Sequence, residues 1–211
     1  MSCRSMLLNA ISVYYADIPL SMVETAREVG TAALDIETSG LDWKEDRIAT
    51  CQVYVPDREL AVVRVDGSVP KNLGRLLGDQ SVCKLFHHAM FDLRFMAYKW
   101  SVQVQRVCCT KIASKILSPS KESHSLKPLV REYLDVELDK TMQTSDWLVQ
   151  HLSQEQLEYA AGDVFYLPLL FDLLQDGLRA VGRWSLAQAS FQYLPIRVQL
   201  DILGSGDVFT Y

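Results

Sequence analysis

From Thr31 to Glu37 the chain reads Thr-Ala-Ala-Leu-Asp-Ile-Glu, an apolar run whose last residues alternate: Leu34 and Ile36 fall on one side, Asp35 and Glu37 on the other. A period of two predicts a β-strand with one face in a core. Cys51 to Val55 and Leu60 to Val65 predict two more strands, joined across Pro56-Asp57-Arg58-Glu59 as a hairpin. Val82 to His87 and Val102 to Cys109 predict a fourth and a fifth, and Ile11 to Tyr15 a short strand ahead of them all. Helical spacing appears from Leu20 to Gly30, from Asn72 to Gly78, from Phe91 to Trp100, and over most of the chain after Cys109, with Ser118 to His124 as a polar loop. Between Asp172 and Gly204 the pattern predicts two apolar helices, broken near Gly177 or Gly182, the second kinked at Pro195. Three antiparallel strands followed by alternating helices and strands predict an α/β fold with a mixed five-stranded sheet flanked by helices.

Composition narrows the class. A chain of 211 residues with 49% hydrophobic content can bury a sizeable core, and one domain over residues 1–211 is expected. No apolar run is long enough to span a membrane. Met1 to Leu8 begins like a signal peptide, but Asn9, Ser12, Tyr14 and Tyr15 interrupt it and no small-x-small cleavage site follows, so it reads as mature protein. Five cysteines without a C-x-x-C pair fit a reducing cytoplasm better than a disulfide framework. Cys108 and Cys109 admit a metal or redox role, although packing within a strand is the preferred reading. A net charge of −5 argues against a protein that coats long nucleic acid through a basic surface, and leaves room for a metal site that divalent ions would bring close to neutral.

Candidate chemistry lies in three clusters. Asp35 and Glu37 share a strand face, and paired hard oxygen ligands suit Mg²⁺ or Mn²⁺; an acidic strand end facing water is the alternative. Asp92 follows His87-His88-Ala89-Met90-Phe91 at the junction of a strand end and a helix start, where ligands gather in α/β sheets, and where an acid is also favoured by the helix dipole alone. Ser153 and Gln156 form a capping box that sets the phase of the helix beyond it, and in that phase Tyr159 and Asp163 share one face across Ala160, Ala161 and Gly162. An aspartate in a core-forming helix needs a partner if buried, and a cation shared with Asp35 and Glu37 supplies one.

Taken together the clusters resemble the DEDD superfamily of 3′-to-5′ exonucleases in its tyrosine-bearing branch. Asp35-Ile36-Glu37, Asp92 after the His-x-Ala-x-Phe run, and Tyr159-x-x-x-Asp163 match its three motifs in order. Cys109 to Ser114, Leu126 to Glu132 and Thr144 to Trp147 are similar to stretches of the ribonuclease D group, and within it the nanoRNase C type is the most similar: these 211 residues include no appended helical domain, and Cys109-Thr110-Lys111 stands where the larger enzymes usually have an Asp-Thr pair. The resemblance implies a ribonuclease H-like fold, catalytic residues Asp35, Glu37, Asp92, Tyr159 and Asp163, and two Mg²⁺ or Mn²⁺ ions held by the four acids. It implies hydrolysis of short RNA oligonucleotides and a homo-octameric ring. Thr38, Gly40, Leu41, His88 and Phe91 are the implied substrate-binding residues, with Leu41 as a wedge against the terminal bases and Phe91 as a stacking surface, core packing remaining open for both. His88 stands where many proofreading relatives have Asn. His124, Ser125, Lys127 and Gln143 are candidates for a substrate 5′-phosphate. Trimming of longer RNA or DNA 3′ ends, or a catalytically silent nucleic-acid-binding module, are the alternatives.

Overall fold

Six strands form one mixed sheet in the order β1-β4-β3-β2-β5-β6. In chain order they are β1 (Ile11–Tyr15), β2 (Thr31–Thr38), β3 (Ile48–Val55), β4 (Glu59–Arg64), β5 (Cys83–Phe86) and β6 (Val107–Cys109). The computed structural model describes residues 11–139 and 141–210, so Met1 to Leu8, read above as mature protein, and Cys3 lie outside the described residues.

Strands β2, β3 and β4 make the expected antiparallel meander, with Asp57 turning the β3–β4 hairpin at a φ of 58°. The sheet holds six strands where the pattern predicts five, because the short strand β1 joins it, parallel to β4, from Ile11 opposite Leu60 to Tyr15 opposite Arg64. That pairing spans nearly fifty residues and no local signal announces it. The fifth predicted strand is shorter than expected. Ser101 and Arg106 both adopt positive φ (53° and 48°), and the Gln105 amide donates to the Leu77 carbonyl at 2.9 Å, so residues 102–106 cross a helix end and ladder pairing begins at Val107.

One face of the meander, with Leu34, Ile36, Cys51, Val53 and Val63, fills the main core together with Met22, Val23 and Ala26 of α1 (Leu20–Val29) and Leu73, Leu76 and Leu77 of α2 (Lys71–Gly78). After β5 comes α3 (Ala89–Trp100); after β6, α4 (Thr110–Leu117) and α5 (Leu126–Leu134). Helix α6 (Gln154–Phe165) opens on the capping box: the Gln156 amide donates to Ser153 Oγ at 3.2 Å and the Ser153 amide to Gln156 Oε1 at 3.0 Å. Gln156 Nε2 also donates to the Asp146 carbonyl at 2.9 Å, which anchors the preceding loop. Ala160 of α6 packs with Trp147 and Val62 in a second, smaller cluster. The C-terminal helices α7 (Leu167–Ala180) and α8 (Trp184–Leu203) separate at Gly182, whose φ of 70° favours glycine, and Pro195 sits inside α8. Gly177 stays within α7, where an added Cβ would come within 2.9 Å of the Leu117 side chain, so glycine lets α4 and α7 approach. Among the described residues no helix is long and apolar enough to cross a membrane.

Candidate active site

The strand period that places Leu34 and Ile36 in the core turns Asp35 and Glu37 to the opposite face, towards α6. The phase set by the capping box brings Asp163 down onto them: Asp35, Glu37 and Asp163 each offer a carboxylate oxygen, and all three oxygens lie within 4.8 Å of one another. Asp92, in the first turn of α3 and only 2% exposed, comes in between β2 and β5, and its Oδ1 accepts a hydrogen bond from the Ile36 amide at 3.2 Å.

Asp35, Glu37 and Asp163 are half-buried and Asp92 is buried, and desolvation with mutual repulsion raises the proton affinity of Asp35, Glu37 and Asp92. Burial and then the Asp163 and Asp92 charges push Glu37 up to about 9. Burial pushes Asp92 up to about 8, opposed by its backbone hydrogen bonds. Asp35 lies well above the usual carboxylate range, through burial first and then the charges of Asp92, Asp163 and Glu37. Such crowding has a chemical answer: hard oxygen donors gathered this closely fit hard divalent cations. Tyr159 lies one turn before Asp163, its ring 5.8 Å from that of Trp147. Burial, followed by the nearby carboxylates, raises its phenol above the ordinary value, so it enters the site as a protonated hydrogen-bond donor.

The rim is organised by local bonds. The ladder between β2 and β3 shifts register at Glu37/Thr38, and Thr38 Oγ1 then donates to the Gly40 carbonyl at 2.5 Å. Gly40 lies against the Asp46 carboxylate, which leaves no room for a side chain. That carboxylate accepts from the Asp42 amide at 2.8 Å and from Ser39 Oγ at 3.0 Å, closing the loop. Lys99 Nζ donates to the Lys44 carbonyl at 2.7 Å and Trp43 meets the Tyr98 ring edge-on at 5.1 Å, bracing the loop on α3. At its tip Leu41 is 83% exposed, which rules out core packing for it. Phe91 is half-buried against Phe95 at 5.0 Å, with the His88 ring nearly parallel to it at 6.4 Å. His88 is the residue that precedes α3, and His87 Nδ1 is 2.9 Å from Thr110 Oγ1.

Two features escape sequence reasoning. Gln52 lies directly across the ladder from Asp35 and Thr50 across from Glu37; both are fully buried, and Gln52 Nε2 donates to Thr50 Oγ1 at 2.9 Å. They form a polar floor beside the acids, and their only trace in sequence is two polar side chains two apart in the apolar run from Ile48 to Val55. Positive charge also gathers nearby: after burial, Lys111, Arg94 and Lys115 lower the proton affinity of His88, and Lys115, Lys121 and Lys111 that of His124. Of the other candidates for a phosphate, His124 Nδ1 is 2.8 Å from Ser114 Oγ, and Lys127 Nζ faces Glu137 at 3.9 Å.

Comparison with known proteins gives this geometry a context. A family model described as 3′-5′ exonuclease matches residues 11–179. The chain is 33% identical over 145 residues to DNA polymerase I of Aquifex aeolicus, covering 69% of this chain and 24% of that protein. It is 30% identical over 156 residues to ribonuclease D of Desulfotalea psychrophila, covering 70% of this chain and 41% of the relative. The chain thus spans less than half the length of these curated relatives. Among solved structures, Brucella melitensis NrnC superposes with a TM-score of 0.89 at 38% identity, covering 96% of this chain and 99% of that one. The same protein has been solved bound to pGG and with bound Mg²⁺.

Proposed function

The chain belongs to the 3′-5′ exonuclease family, and we propose that within it the protein hydrolyses very short oligoribonucleotides, dinucleotides included, to nucleoside 5′-monophosphates. The observation that carries this reading is the convergence of Asp35, Glu37 and Asp163 within 4.8 Å, from a strand and a helix more than a hundred residues apart. Asp92, held on the Ile36 amide, completes the acid set. The short-substrate reading is supported by similarity to NrnC over nearly the whole of both chains, one form of which was solved with pGG. It is also supported by charge: a chain at −5 offers few phosphate contacts to a long polymer, whereas a dinucleotide needs only a small pocket.

Asp35, Glu37 and Asp163 would hold one divalent cation, and Asp35 with Asp92 a second; Mg²⁺ or Mn²⁺ suits the all-oxygen donor set. When bound, two such ions supply an acidified water and charge stabilisation on the attacking and leaving oxygens of an in-line displacement. The protein's own groups do the rest. Tyr159, kept protonated by burial and the adjacent carboxylates, donates a hydrogen bond that orients the attacking water without taking its proton. Leu41 gives an apolar edge for the terminal bases and Phe91, with His88, a flat one. Thr38 and Gly40 hold the loop that presents Leu41. Lys111 and Lys115 supply positive charge for the substrate's phosphates, and His124, held neutral beside them, a hydrogen-bonding ring.

On this reading residues 1–211 make a single exonuclease domain, working in the reducing cytoplasm as a homo-octameric ring. The exposed apolar side chains Leu169, Leu186, Ile196 and Leu203 on the last two helices support self-association, and sedimentation would measure it. Trimming of structured RNA 3′ ends is the second reading, favoured by the relatives that are ribonuclease D. Turnover of purified protein with Mg²⁺ or Mn²⁺, on labelled RNA and DNA of two nucleotides upward, decides between them. Rates highest at two nucleotides support the first, and rates that hold or rise with length support the second. Turnover unchanged in a Glu37→Gln, Asp163→Asn double variant would overturn the assignment of the site, and a wild-type protein without turnover would make it a silent binding module.

A further inference from the structure

On the face of the sheet that carries Asp35, beyond the start of β2 at Thr31, a groove of about 730 Å³ runs between β5–β6 and the helices α7 and α8, with Phe171, Trp184 and Phe191 along its apolar wall. Two cysteines lie on its sheet side. Cys83 opens β5, and Cys108 sits in β6 opposite Leu85, so the strand alternation puts both thiols on one face. Their sulfurs are 3.3 Å apart, both residues are half-buried, and both border the groove. Cys51 and Cys109, the other cysteines among the described residues, are buried, and Cys109 Sγ donates to the His87 carbonyl at 3.0 Å.

We propose that Cys83 and Cys108 form a reversible dithiol–disulfide couple, a redox modification site whose oxidant is a peroxide entering through the groove. The proposal is independent of the exonuclease reading, since neither cysteine belongs to the carboxylate site. The two thiols are not equivalent. In its ionised form Cys83 accepts the Cys108 S–H, and this bond, with the cations of Arg106 and Lys84, holds the Cys83 thiol below its usual range against the opposing effect of burial. The same bond, and then burial, pushes Cys108 up. Cys83 is therefore the attacking sulfur and Cys108 the resolving one. The Cys83 thiolate attacks a peroxide oxygen: an S–O bond forms, the O–O bond breaks, and the hydroxide released is protonated to water. Cys108 sulfur then attacks Cys83 sulfur, the S–S bond forms, the S–O bond breaks, and the departing hydroxide takes the Cys108 proton as a second water. Each sulfur gives up one electron and the peroxide accepts two. A pair of this kind in a reducing compartment stays as thiols until oxidant rises.

Peptide mapping of the full chain after hydrogen peroxide treatment and alkylation is the test. A Cys83–Cys108 cross-linked peptide is expected, with two thiols lost per chain and both restored by dithiothreitol. Cys83→Ser and Cys108→Ser should each abolish the cross-link, while Cys109→Ser should retain it. Should a serine variant fold poorly, the wild-type map decides by itself. The proposal is overturned if Cys83 and Cys108 still take the alkyl label, if either goes to sulfinic acid without a cross-link, or if the cross-link that forms involves Cys3 or Cys109.

Discussion

Asp92 is bonded to the backbone of Ile36, the residue between Asp35 and Glu37, through an amide that donates to its Oδ1 at 3.2 Å. The acid that begins one helix is thus fixed to the strand carrying two others, and its charge and its hydrogen bond can be separated by mutation. Asp92→Asn keeps an acceptor for the Ile36 amide and removes the charge. Turnover should fall by about 10²-fold or more, with the metal-free protein as stable as the wild type or more so. Asp92→Ala leaves that amide unpaired in a buried place and should cost about 1–3 kcal/mol of stability as well. Urea titrations in EDTA beside rate measurements check both; equal stability of the two variants would show that the bond contributes nothing.

The raised carboxyls make a signed prediction for pH. Glu37, at about 9, and Asp92, at about 8, bind protons more tightly folded than unfolded, where they titrate near 4.5 and 3.8. Their contribution to stability is therefore fully present below the unfolded values and is lost as pH rises through the folded ones. Metal-free protein should lose stability between about pH 4.5 and 9, and Mg²⁺ or Mn²⁺, which binds the deprotonated acids, should stabilise it more at pH 8 than at pH 6. Thermal melts in EDTA and in metal across that range are the measurement. A metal-free stability that climbs with pH would show that other groups dominate.

Asp35 with Glu37, and Tyr159 with Asp163, were legible because their spacing is short: two residues in a strand and four in a helix each define a face without knowledge of the fold, and the Ser153–Gln156 box fixed the helical phase. What sequence pattern missed depends on partners far along the chain. β1 acquires its place only when β4 lies beside it, and residues 102–106 leave the strand conformation because Ser101 and Arg106 turn left-handed over the end of α2. Thr50 and Gln52 become part of the site only once the register sets them opposite Glu37 and Asp35. Leu41 could be separated from the core only by its exposure, which an isolated leucine in sequence does not reveal.

On the proposed mechanism, in which the hydroxyl orients water and the carboxylates hold the ions, Tyr159→Phe should lower kcat by about 10²-fold while leaving metal affinity intact. The variant keeps the ring that packs against Trp147 at 5.8 Å, so stability should change little. Metal titration by calorimetry beside single-turnover rates separates the two effects. Weakened metal binding in this variant would make the tyrosine a support for Asp163.

Leu41 offers a test of substrate contact with almost no structural cost. The side chain is 83% exposed, so Leu41→Ala removes little that the fold uses and the melting temperature should stay where it is. If the leucine covers the terminal bases, substrate binding loses about 1.4 kcal/mol and KM for a dinucleotide rises roughly tenfold, with kcat changed less. Gly40→Ala acts through the loop: its new methyl meets the Asp46 carboxylate that closes the turn, and the loop must shift to admit it. That variant should raise KM as much as Leu41→Ala or more, although it removes no surface the substrate could touch. If KM for both variants equals that of the wild type, the loop from Thr38 to Leu41 does not contact the substrate and the measure of its length lies elsewhere in the site.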